Sequence, residues 1–187
     1  MSSLMERDHI SLGGVIARSA VVHTVTYFLV GFAAYLVFDY ATVFNEPGLA
    51  SYMRPTDDPL VRAGTLFQPL RGILFGLALY PLRSVLFERR NGWAVTWLVL
   101  VTIGIFSTFG PSPGSIEGFV YTTVPIGRQS WGLVEILVQS LLLSSLLFYW
   151  VRHPEKRWLS RVLVALFVVV MGLPALGLLA AQANAGG

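Results

Sequence analysis

The stretch Ser-Ala-Val-Val-His-Thr-Val-Thr-Tyr-Phe-Leu-Val-Gly-Phe-Ala-Ala-Tyr-Leu-Val-Phe, residues 19–38, contains no Asp, Glu, Lys or Arg. A helix that crosses the hydrocarbon core of a bilayer needs about 20 mostly apolar residues. This stretch meets that need with only His23 and a few hydroxyls as polar content, and Asp39 closes it. Its length exceeds a signal-peptide core, and it lacks a small-x-small cleavage site before a polar mature start. Tyr27, Phe28, Phe32 and Tyr35 also suit a retained helix, so it reads as a true span.

Four more runs follow the same pattern at 62–87, 93–109, 131–151 and 162–181. Run 62–87 is unusual in holding Arg71, Arg83, Pro69 and Pro81, whereas 93–109 carries no charge at all. Run 131–151 holds Glu135 and Gln139, and Gly172, Pro174 and Gly177 bend the second half of the last run. The expected fold is an all-α, polytopic, integral membrane protein: one domain over 1–187, built as a multi-pass bundle of five transmembrane helices. The tail after residue 181 is short and uncharged and is expected to fray.

Composition agrees. The 187 residues are 55% hydrophobic and 12% charged, with a mean hydropathy of +0.67, whereas soluble domains carry about 25% charged residues. That excludes an ordinary soluble enzyme and a disordered chain. The net charge of +3 does not point to nucleic acid, because the basic residues sit in short clusters between apolar runs, as a topology signal does. With the N-terminus in the cytoplasm, the inner segments hold Arg7, Arg18, Arg89, Arg90, Arg152, Lys156, Arg157 and Arg161, and the outer ones only Arg54, Arg62 and Arg128. The positive-inside bias therefore places the N-terminus inside and the C-terminus outside. A bacterial inner membrane is the expected location.

The inner connections, 88–92 and 152–161, are short and basic. The outer ones, 39–61 and 110–130, are longer and rich in Pro and Gly, and long loops in compact proteins tend to carry function. Residues 109–118 alone hold two prolines and three glycines, which specifies a particular backbone path. The halves of the chain do not repeat one another, so an inverted-repeat transporter has no support.

The candidate site residues follow from cost. An ionisable side chain at mid-membrane costs about 2.5–3.5 kcal/mol on insertion scales and needs a partner or a purpose. Arg71 lies nine residues below the outer end of its run, about 13 Å at 1.5 Å per residue, and Glu135 lies in the outer third of its own. These two are expected to pair across the bundle, as structural glue or as a ligand or proton site. Asp39 and Glu117 lie on the same side and join them as ligand or ion-pair candidates. Arg54, Asp57, Asp58 and Ser115 are outer-loop binding candidates, although Asp58 before Pro59 also reads as a helix N-cap. Arg83 can snorkel to the headgroups. Gly72 and Gly76 form a GxxxG step suited to close helix packing, within the chain before between chains.

No catalytic set can be assembled. Asp57-Asp58 alone is a poor Mg²⁺ motif, and Ser115 has neither a Gly-x-Ser-x-Gly frame nor an outer His as base. The absence of Cys removes thiolate chemistry. His23 is the sole membrane His, so a bis-His haem is excluded and His-built metal sites are not expected, and the only Lys, Lys156, lies in a loop and cannot carry a retinal Schiff base. No cofactor is expected. Three functions stay open. The first is a non-enzymatic binding or accessory subunit whose outer loops dock another membrane protein. The second is a small transporter or channel with an outer-half polar pocket for an anionic or proton-coupled solute, self-associated to make a path. The third and weakest is an enzyme acting on a lipid headgroup.

Overall fold

The computed structural model describes residues 10–51 and 53–185. Arg7, assigned above to the inner side, lies outside the described residues. The described residues form helices and turns, with no strand. Helix α1 (Leu12–Phe38) is followed by three single turns, α2 (Tyr40–Val43), α3 (Pro47–Ala50) and α4 (Pro59–Arg62). A 3-10 turn, Gly64–Phe67, leads into α5 (Gln68–Leu79), and a second, Tyr80–Leu82, leads into α6 (Arg83–Leu86). Then come α7 (Gly92–Val101) with a π-helical turn at Thr102–Phe106, α8 (Ile116–Tyr121), α9 (Ile126–Arg152) and α10 (Arg157–Ala185).

Three of these helices, Leu12–Phe38, Ile126–Arg152 and Arg157–Ala180, are long and apolar enough to cross a membrane. The described residues are thus all-helical, with the apolar helix lengths of a membrane protein. The runs at 62–87 and 93–109 are realised differently from the continuous helices expected of them. In the first, Pro69 sits at the start of α5, where its missing N–H costs nothing, and Pro81 sits in a 3-10 turn. The prolines divide the run rather than kink one helix. In the second, α7 passes into the π turn and stops at Phe106, a 15-residue helix. The tail expected to fray continues α10 to Ala185.

Local caps explain the boundaries. The Ser11 side chain accepts the Gly14 amide at 3.1 Å and starts α1. Asp39 ends it in the left-handed conformation, φ 48°, a geometry that short polar side chains tolerate better than branched ones. Asp58 caps α4 by accepting the Leu60 amide at 2.7 Å, as expected from its place before Pro59.

α5 runs antiparallel to α1, and glycine makes this possible. A Cβ on Gly72 would lie 2.5 Å from the Ala20 Cα, and one on Gly76 2.7 Å from the Ile16 Cα. The GxxxG step is therefore a backbone contact inside the chain. α9 and α10 pack against α1, and α7 packs on α9. The apolar core gathers towards one end of the bundle, around Val15, Val22, Leu79, Leu86, Phe87, Leu143, Leu147 and Leu163. That end also holds the basic hairpins: Arg18 lies over Trp150 at 5.8 Å, the Trp150 indole donates to Ser160 at 2.8 Å, and Arg152 donates to the Arg89 carbonyl at 3.4 Å. The opposite end carries both Pro/Gly-rich loops, and there the helices splay.

Candidate functional site: a cavity under the two loops

The splay leaves a cavity of about 1050 Å³ between α1, α5, α9, the π turn and the two loops. Its size lies just above the range for drug-sized ligands, about 300–1,000 Å³. The wall from α1 and the segment after it is aromatic, including Tyr27, Phe28, Phe38, Tyr40 and Phe44, while α9 contributes Trp131, Glu135 and Gln139, and α5 contributes Arg71.

The sequence reading brought Arg71 and Glu135 to the same depth, and both line this cavity. They do not pair. Among the described residues the ion pairs are Arg54–Asp58 and Arg128–Glu46. Glu135 accepts a hydrogen bond from the Tyr40 hydroxyl instead. It sits where α1 is narrowest, since its Oε1 would lie 3.6 Å from a Cβ on Gly31. Arg71 contacts the Phe75 ring, with 5.7 Å from guanidinium carbon to ring centre. Among the described residues it has neither a carboxylate partner nor a hydrogen-bond acceptor, and its side chain is exposed to the space around it. Tyr27 lies within electrostatic reach of both charges.

Beneath the cavity is a polar layer that joins three helices. His23, 1% exposed, meets Gln68 of α5 through Nε2 at 3.1 Å and Gln139 of α9 through Nδ1 at 3.2 Å. Gln68 uses its amide nitrogen on the Gly64 carbonyl at 3.1 Å, so its oxygen faces His23. The Nε2–H tautomer then satisfies every bond: Nε2 donates to Gln68 and Nδ1 accepts from Gln139. The membrane histidine is not alone, as its sequence position suggested. It is the centre of a neutral hydrogen-bonded clasp.

The two loops form a built lid. Arg128 at the start of α9 donates to Glu46 through Nε at 3.0 Å and through Nη2, tying one loop to the other. Gln129, 3% exposed, holds the second loop from within. Its oxygen accepts the Gly114 amide at 3.0 Å and its nitrogen donates to the Val124 carbonyl at 2.8 Å. Gly114 has φ +88° there, which a side chain would resist.

The remaining candidates fall as follows. Ser115, 1% exposed, is the N-cap of α8, accepting the Gly118 amide at 2.9 Å and donating to Ser112 at 2.7 Å, so it is closed to a ligand. Glu117 is exposed in the first turn of α8 and does not reach the cavity. Asp39 is exposed at the α1 terminus, also outside the lining. Asp57 is exposed and makes no ion pair among the described residues, whereas Asp58 caps α4 and pairs with Arg54 at 3.0 Å. Arg54 does line the cavity. Arg83 bonds its own Tyr80 carbonyl at 3.4 Å and lies over the Tyr80 ring at 4.5 Å, which offsets the turn at Pro81.

Sequence reasoning missed Tyr27, Tyr40 and Gln68 as parts of the site. Gln139 carried a signal, since it follows Glu135 by four residues and so shares its helix face. Tyr40 carried none, because its approach to Glu135 depends on the turn at Asp39. Among the described residues no cluster of His, Cys, Asp and Glu suits a metal ion. Comparison with protein-family models, curated proteins and solved structures gives no match.

Proposed function

We propose that this is a non-enzymatic binding protein of the bacterial inner membrane, crossing it five times with its N-terminus inside, whose outward-facing cavity holds a ligand with an anionic group. The observation that carries this reading is Arg71. A guanidinium is always charged, and at membrane depth it needs a partner or a purpose. Arg71 faces a cavity that also contains a carboxylate, yet among the described residues it forms no ion pair. An anion in the cavity would complete it. The basic clusters at the opposite end of the bundle support the orientation, with the two short passages, α5–α6 and α7 with its π turn, completing the five crossings.

The loops expected to dock a partner are in this reading the lid of the cavity. Transport is the weaker reading, because the apolar core around Leu143 and Leu147 fills the bundle below the His23 clasp and would have to open. The test is native mass spectrometry of the particle extracted in nanodiscs, with wild type and Arg71→Gln side by side. Retained anionic mass that is lost in the variant is the expected result. Equal retention in both would refute the reading. A second protein in fixed ratio would return the loops to a docking role.

A further inference from the structure

The cavity holds two opposite charges that do not meet. In a low-dielectric site, oppositely charged neighbours ordinarily close on each other, because each then offsets the other's desolvation. Arg71 and Glu135 instead occupy different walls, α5 and α9, and Tyr27 of α1 lines the same cavity. The surroundings of the two charges also differ. Arg71 has one ring, Phe75. Glu135 sits beside a group of aromatic side chains that all line the cavity: Phe38 is 5.5 Å from Trp131 and 6.1 Å from Tyr40, and Tyr40 stacks on Phe44 at 5.0 Å. A carboxylate next to several electron-rich ring faces is the arrangement that receives an ammonium group. A free guanidinium is the arrangement that receives a phosphate.

Resting on the reading of the cavity as an anion-binding site, we propose that its ligand is a phosphate–ammonium zwitterion, with the phosphate on Arg71 and the ammonium on Glu135 and the surrounding rings. The headgroup of phosphatidylethanolamine and free phosphoethanolamine share this chemistry. The wall favours the lipid. α5 packs chiefly along α1, and the apolar side chains next to Arg71 on it, Leu70 and Leu74, are exposed. Acyl chains can leave the cavity on that side while the headgroup stays within it. No bond is made or broken; the ligand is held.

The experiment uses the full-length protein in detergent, titrated with phosphatidylethanolamine, phosphatidylglycerol and free phosphoethanolamine, and read by native mass spectrometry. The wild type is expected to hold phosphatidylethanolamine about tenfold more tightly than phosphatidylglycerol, the difference being the ammonium's charge-assisted contacts. Glu135→Gln is expected to bring that ratio close to one while still binding phosphatidylglycerol, and Arg71→Gln to weaken both lipids. Binding of free phosphoethanolamine with no added affinity for the lipid would keep the zwitterion and assign it to a soluble source. A wild type that holds both lipids equally overturns the zwitterion and leaves the anion site standing; this readout needs no variant to fold. A wild type that holds none of the three probes overturns the zwitterion too, and an Arg71→Gln variant identical to it in retained mass then refutes the anion site separately.

Discussion

Replacing Gly72 by Ala places a methyl carbon 2.5 Å from the Ala20 Cα and 2.8 Å from the Ser19 carbonyl oxygen. Both are backbone atoms of α1 and cannot rotate away. Ordinary contact begins near 3.4 Å, so α5 must move off α1 by about 0.9 Å at this level (the overpacking regime, about 1–3 kcal/mol). The shift has a second consequence one turn away. The His23–Gln68 hydrogen bond is 3.1 Å long, and the same displacement takes it to roughly 4 Å, beyond bonding range. An interhelical hydrogen bond in a membrane contributes about 0.6 kcal/mol on average and up to about 1.7. The expected loss is therefore about 2–4 kcal/mol, read as a lowered unfolding midpoint in mild detergent. Gly172→Ala is the control: nothing lies within 4 Å of its added Cβ, and removing a helical glycine there should be neutral or stabilising by up to about 1 kcal/mol. If Gly72→Ala unfolds within about 0.5 kcal/mol of wild type, the close α1–α5 approach is not the one described here.

Three further outcomes are expected. Gln129→Leu leaves the Gly114 amide and the Val124 carbonyl without their side-chain partners, at about 1–3 kcal/mol for each buried group left unmet; limited proteolysis should show new cleavage within 110–125, and an unchanged digest would count against the clamp. His23→Leu removes both bonds of the clasp and should cost about 1–3 kcal/mol in the same unfolding assay, with little effect on lipid retention if the clasp is structural. The Asp58 carboxyl is held below the usual carboxylate range, chiefly by the Leu60 amide and then by Arg54. A depressed carboxylate stabilises the fold above its unfolded pKa and loses that contribution as pH falls through the folded value. Acidification below the ordinary range of Asp should thus loosen the start of α4, seen as a shift of the Leu60 amide resonance, and Asp58→Asn should abolish the titration.

The comparison of sequence with structure is most instructive at three places. Gly72 and Gly76 were legible as a packing step, because a four-residue spacing of small residues lies on one helix face whatever the fold. Asp58 was legible as a cap for a similar reason: capping is local, decided by the residue and the proline after it. Arg71 and Glu135 were legible in depth but not in relation. Counting residues along two runs fixes height in the bundle and leaves rotation about each helix axis and the packing of the helices open, and the structure sets the two charges on different walls of the cavity.

Apolar run length, charge placement and cap chemistry are encoded over a few to about 20 residues, and these determined that the chain is a helical membrane protein with its basic hairpins at one end and its Pro/Gly-rich loops at the other. The tertiary structure alone decided the rest. It gave His23 its partners Gln68 and Gln139, brought Tyr40 to Glu135 and turned Arg71 to a cavity where, among the described residues, it has no ion-pair partner. Each of these depends on residues 45 to 116 positions apart, or on the turn of a helix about its own axis. Such relations exist only once the helices have packed, so no local pattern in the sequence can carry them.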